Sequence, residues 1–164
     1  IDRFLRPSNL PSHWKLLVQT MQSPAKGSKT QFGAVLEEVA ERMPRRGLVI
    51  LISDCFDNAD QILRGLSHLR YRRHEVIVFH ILDPTELTFP FEQLTRFEGL
   101  EGHGDLLTDP RTLRTQYLEQ VDEFIERLRR GCRDHHIDYQ QINTSMPLDL
   151  ALSAYLSVRA ARTK

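Results

Sequence analysis

The chain has no excess charge of either sign: 22 Lys and Arg balance 22 Asp and Glu, a formal net charge of +0 at pH 7. This removes the overall electrostatic footprint of a nucleic-acid or acidic-membrane binder, so any such partner would have to be met by a local patch. Long apolar runs are also missing. The longest, Leu48 to Ile52 and Val76 to Phe79, fall far short of the roughly 18 residues a membrane-spanning helix needs, and no bilayer crossing is expected. Cysteine is scarce. Cys55 and Cys132 stand far apart with no Cys-x-x-Cys or Cys/His ligand spacing, which favours two reduced thiols in a cytosolic protein over a metal finger. The glycine-rich phosphate-cradling motifs and the Gly-x-Ser-x-Gly elbow do not occur, so nucleotide-cradling and hydrolase-elbow mechanisms lose their main support. The opening Ile1-Asp2-Arg3-Phe4 has neither an initiator Met nor a basic-then-apolar signal pattern and reads as a cut rather than a beginning.

What is present suits one ordinary globular domain. At 164 residues a chain buries roughly 68–70% of its unfolded surface without a disulfide or metal staple. Trp14, Leu17, Val18 and Met21 follow the spacing of an amphipathic helix over Pro11 to Gln22, and Phe32, Val35, Leu36, Val39 and Met43 mark a second, ended by Pro44. Ser28 three residues before Gln31 offers this second helix a weak capping box. Gly47 to Ser53 is a continuous apolar run, as expected for a strand covered on both faces. Asp57 or Asn58 can cap a helix carrying Ile62, Leu63, Leu66 and Leu69. Glu75 to Leu82 reads as a second buried strand, stopped by Asp83-Pro84.

Residues 88–110 have a different texture and read as a small hairpin insertion. Pro110 to Arg133 is the clearest helix, with Leu113, Tyr117, Val121, Phe124, Leu128 and Cys132 on one stripe. Ile137 to Ile142 makes a third strand and Pro147 to Ala161 a last helix. Strands alternating with helices predict an α/β fold: three parallel strands, helices on both faces, and a ligand crevice at the carboxyl ends of the strands.

The residues at those ends are Ser53, Asp54 and Asp57, then Asp83, then Asn143 and Thr144. Magnesium combines one or two carboxylates with hydroxyls and waters, and Asp54 with Ser53, Thr30 and Asp83 could supply such oxygens. Each also has a plainer role. Asp57 is better read as a helix cap, while for Asp54 a turn acceptor and a ligand both stand. His80, inside a strand with no second His to share a metal, is expected to be a satisfied core residue. Cys55 adjoins the crevice but more commonly such a thiol is apolar filler. The basic clusters at Arg70 to His74 and Arg127 to Arg133 fall at helix carboxyl ends, where cations offset the dipole.

Arg46-Gly47-Leu48-Val49-Ile50-Leu51-Ile52-Ser53-Asp54-Cys55-Phe56-Asp57 followed by Val76 to Pro84 resembles the carboxyl-terminal half of a von Willebrand factor A-like domain. The resemblance is specifically to the bacterial family often encoded beside MoxR-type ATPases and catalogued as a domain of unknown function. Phe89-Pro90-Phe91, Phe97 to Glu101 and Ile137-Asp138-Tyr139 before Pro147-Leu148 extend it through nearly the whole chain. In such domains a metal-ion-dependent adhesion site combines an Asp-x-Ser-x-Ser loop, a Thr from a later loop and an Asp after the fourth strand. Thr30 matches the threonine and Asp54 the final aspartate; the Asp-x-Ser-x-Ser element does not occur. Lys29 and Gln31 also depart from the family's glycine pair and acidic residue around that threonine.

The resemblance therefore implies a partial three-layer, Rossmann-like fold over residues 1–164, the carboxyl-terminal portion of a larger domain. It implies a protein-interaction module with an incomplete magnesium or manganese site at Thr30 and Asp54, bacterial and cytoplasmic, whose partner is a MoxR-type AAA ATPase. In the family's sheet the Leu48 strand is central, so without its neighbour an exposed edge and exposed helix faces are expected to drive homo-oligomerisation. The rival reading is a magnesium-dependent hydrolase, phosphatase-like, with Asp54 as nucleophile and Asp57 or Asp83 as ligand. Against it, no Lys or Arg stands at the strand ends to stabilise a transferring phosphoryl group.

Overall fold

A computed structural model describes residues 3–6, 8–23, 32–97 and 106–162. Two helices, α1 (Ser12–Gln22) and α2 (Phe32–Arg42), lead into β1 (Leu48–Ser53). After α3 (Ala59–Tyr71) come β2 (Glu75–Leu82) and a short helix, α4 (Pro84–Thr88). A small antiparallel pair, β3 (Thr95–Phe97) with β4 (Leu106–Thr108), precedes α5 (Pro110–Asp134), β5 (Asp138–Asn143) and α6 (Leu148–Arg162). The main sheet is parallel, in the order β1-β2-β5. Val49 pairs with Val76 and Leu51 with Val78 on one side of β2, and Val78 with Tyr139 on the other.

Helices lie on both faces, which gives the Rossmann-like three-layer arrangement expected from the alternation of strands and helices. On one face Leu36 and Ala40 of α2, Ile62, Leu66 and Leu69 of α3, and Leu128 and Cys132 of α5 pack with Val76 and Val78. The two helices α2 and α3 approach so closely that a Cβ added at Gly65 would lie 2.7 Å from the Cβ of Leu36; only glycine fits that crossing. On the other face Ala151, Leu152 and Tyr155 of α6 cover Ile77, Phe79 and Ile142. Tyr155 meets Phe79 edge-on with ring centroids 5.3 Å apart.

One expectation is corrected here. The continuous apolar run of β1 predicts a strand covered on both faces, but only Val49 and Leu51 are covered, while Leu48, Ile50 and Ile52 remain 49%, 50% and 64% exposed. Among the described residues β1 is an edge strand and β2 is the central one. The reason is reach: the α6 side chains that pack on the second face lie over β2 and β5, not over β1. Helix α4 was not anticipated. The proline after Asp83 ends the strand as expected, yet Asp83 and Glu86 then form a capping box, with Pro84 in the first turn, that starts a short helix.

Within the 88–110 segment expected to form a hairpin, β3 and β4 pair antiparallel, and Phe97 of β3 joins Phe89 and Phe91 in an aromatic cluster. Helix α1 forms where its periodicity places it, but buries none of its residues, and Trp14 and Met21 are exposed. The Ser28 capping box falls outside the described residues.

Candidate functional site

The chain leaves β1 through a tight loop in which Cys55 takes a left-handed backbone, φ 54°, a conformation uncommon for a residue with a side chain. Neighbouring contacts hold it. The Cys55 N–H donates to Ser53 Oγ at 3.0 Å, and the Asp57 N–H donates to the Cys55 carbonyl at 2.7 Å. From β2, His80 Nε2 lies 2.9 Å from the Asp54 carbonyl oxygen, and His80 Nδ1 lies 2.6 Å from the Tyr139 hydroxyl on β5. A carbonyl can only accept, so Nε2 carries the proton and Nδ1 accepts from the tyrosine. His80 is fully buried, and desolvation outweighs the nearby Asp54 and Glu86 charges to hold its pKa below the ordinary imidazole value. It is the satisfied, neutral core histidine that its place in a strand predicts.

Burial, reinforced by the Asp54 charge, pushes the Cys55 thiol up to about 12, which leaves almost no thiolate at neutral pH. Both cysteines are unbridged and buried.

The carboxylates take separate posts. Asp54 is exposed, and its Oδ1 accepts at 3.3 Å from both Ser53 Oγ and the Phe56 N–H. Asp57 caps a helix, but the one before it in the chain: its Oδ2 accepts from the N–H of Phe32, the first residue of α2, at 2.9 Å. Asn58 caps α3, accepting from Asp60 and Gln61. Asp83 accepts from the Thr85 N–H and hydroxyl and, through Oδ2, from Thr144 at 3.1 Å. The Thr85 hydroxyl first, then the Thr85 N–H, holds its carboxyl below the usual carboxylate range.

Beyond the carboxyl ends of β1 and β2 a pocket of about 460 Å³ opens between the loop and α5. Phe56, Leu82, Val121, Phe124 and Ile125 form its apolar wall. Asp54, Asp57, Glu86 and Tyr117 stand among the polar residues that line it. The Tyr117 ring rests on Phe89 at 4.5 Å, and its hydroxyl pKa is raised by burial and then by Glu86. Phe56 is 85% exposed.

Of the residues singled out in the sequence, Asp54, Asp57 and His80 line this pocket, whereas Ser53, Asp83, Asn143 and Thr144 do not. Thr30 lies outside the described residues. Phe56, Glu86 and Tyr117 were not anticipated. Glu86 had a signal, since Asp83-Pro84-Thr85-Glu86 has capping-box spacing; Tyr117 belongs to the α5 stripe but faces the pocket rather than the core. Among the described residues no three His, Cys, Asp or Glu side chains gather to hold a metal ion. Both Asp57 oxygens accept main-chain N–H groups, and the Asp83 oxygens accept from Thr85 and from the Thr144 hydroxyl.

A family model described as a protein of unknown function, DUF58, matches residues 3–126. The chain belongs to the DUF58 family. Every residue that lines the pocket lies inside the matched span of this DUF58 chain, while β5 and α6 lie beyond it. No curated protein and no solved structure matches it. Among its described residues no helix is long and apolar enough to cross a membrane.

Proposed function

We propose that this DUF58 chain is a protein-interaction module of the von Willebrand factor A-like type, whose partner docks beyond the carboxyl ends of β1 and β2. The observation that carries this reading is the pocket: an apolar wall rimmed by carboxylates, with a nearly fully exposed phenylalanine among its lining residues. Exposed apolar surface edged by polar groups is what a partner's anchor residue needs. The family resemblance points to a MoxR-type AAA ATPase as that partner, in a bacterial cytoplasm. Thr30 and Asp54 are the residues on which a magnesium or manganese contribution to docking would rest, and no step of the reading depends on one.

The test is a titration of a purified MoxR-type ATPase against the chain, with Phe56→Ser and Val121→Asp as pocket variants. Binding that weakens at least about tenfold in Phe56→Ser is expected of an anchor contact. No binding, or binding indifferent to both variants, would sink the reading. Magnesium-dependent turnover of a phosphate ester, lost in Asp54→Asn, would favour a hydrolase instead.

A further inference from the structure

We infer that the end of the sheet at which β1 and β2 begin binds single-stranded nucleic acid, with Arg45, Arg46, Arg72 and Arg73 on its phosphates and the Tyr71 ring against a base. This surface lies at the opposite end of the strands from the pocket and does not depend on the reading above.

A chain of balanced charge must meet a polyanion with a local patch, and the fold makes one from two turns. Arg72 and Arg73 lead into β2, and Arg45 and Arg46 lead into β1. The Gly47 N–H donates to His74 Nδ1 at 3.2 Å, and the Glu75 N–H donates to the Gly47 carbonyl at 2.9 Å. These bonds hold the turns side by side, so Arg46 and Arg73, each just before a bonded residue, enter neighbouring strands at the same level. All four arginines are exposed, and none has a hydrogen-bond or ion-pair partner among the described residues. Glu75, two residues from Arg73, is occupied by Arg159. Exposed, unpartnered guanidinium groups gathered at one end attract a polyanion, and their planar forks suit phosphate oxygens.

The helix dipole does not account for this patch. It favours cations within the last turn, where Arg70 stands, whereas Arg72 is the cap of α3 and Arg73 lies beyond it. Arg73 also has a left-handed backbone, φ 65°. Its N–H donates to the Arg70 carbonyl at 2.8 Å and the His74 N–H to the Leu69 carbonyl at 3.1 Å. Those are the paired bonds of a Schellman cap, whose left-handed position is usually glycine. The backbone is served best there without a side chain, yet a guanidinium is presented at that point.

Tyr71 selects the partner. Its ring is 88% exposed between Arg70 and Arg72, and within residues 45–47 and 68–75 no other large apolar or aromatic side chain is exposed. An anionic bilayer rewards inserted apolar surface as well as charge, and this end offers a single ring. An acidic peptide answers the charges alone. A single strand supplies phosphates for the arginines and an unstacked base for the ring, whereas a duplex keeps its bases stacked on one another.

The experiment is fluorescence anisotropy of a labelled oligo(dT) strand titrated with the chain over a range of salt. Binding is expected at low salt, with the logarithm of affinity falling against that of salt at a slope of about −3, each phosphate contact contributing about −0.7. Tyr71→Ala should weaken binding by about fivefold or more without changing the slope. Arg73→Gly should weaken binding and make the slope shallower by about 0.7. It should not lower the urea midpoint, because glycine adopts the left-handed backbone freely. No binding at low salt overturns the proposal. So does a duplex bound as tightly as the single strand, or binding indifferent to Tyr71→Ala. Phosphatidylglycerol vesicles or polyglutamate held through these arginines, with oligo(dT) left unbound, would give the patch to a membrane or an acidic protein and equally overturn it.

Discussion

The imidazole of His80 on β2 donates from Nε2 to the main-chain carbonyl of Asp54, 26 residues away, at 2.9 Å. Through its other nitrogen it accepts from Tyr139 at 2.6 Å. One buried side chain thus ties the loop after β1 to the two neighbouring strands. The left-handed backbone of Cys55 follows immediately, and the exposed Phe56 after it is positioned by that bend.

Removing the tyrosine hydroxyl should therefore be felt in stability. In Tyr139→Phe the His80 Nδ1 acceptor is left buried without its partner, at a cost of about 1–3 kcal/mol. Urea unfolding should show a lower midpoint with an unchanged slope. An unchanged midpoint would show that water or another group satisfies the ring.

His80 should also make stability pH-dependent. Its folded pKa is depressed, with desolvation the largest cause, below an ordinary value of 6.5. The unfolded chain therefore binds the proton first as pH falls, and the stabilising contribution is full above about 6.5 and lost progressively below it. Urea midpoints measured from pH 7.5 down to 5.5 should fall more steeply for the native chain than for His80→Leu. Parallel curves would show that His80 does not set the pH dependence.

Asp57→Ala should destabilise α2 rather than α3, by about 1 kcal/mol, the usual cost of removing a helix cap. Hydrogen exchange can locate the effect. Faster exchange at the amides of the first turn of α2, with the first turn of α3 still protected through Asn58, is the expected pattern. The opposite pattern would restore the sequence's own expectation that Asp57 caps the following helix.

Magnesium or manganese should bind this chain no more tightly than about millimolar, because too few protein oxygens are available to replace a reluctant hydration shell. Calorimetry gives the answer directly. Micromolar binding abolished by Asp54→Ala would mean that Asp54 and ligands outside the described residues complete a site.

Much of this molecule was determined by the sequence alone because the signals are local. The 3.6-residue rhythm of α5, the apolar runs of β1 and β2, and the proline after Asp83 each act within a few residues, so element order, the parallel sheet and the placing of Asp54 at a strand end could be read directly. What only the tertiary structure decided depends on contacts between distant segments. Whether Ile50 is covered depends on how far α6 reaches, and no periodicity within β1 records that. Which helix Asp57 caps depends on Phe32 arriving 25 residues away in sequence. Tyr117 and Val121 share one stripe with Leu128 and Cys132, yet the first two line a pocket and the last two are core. A helix stripe specifies only that a face is apolar; the element packed against each turn decides whether it meets core or open space.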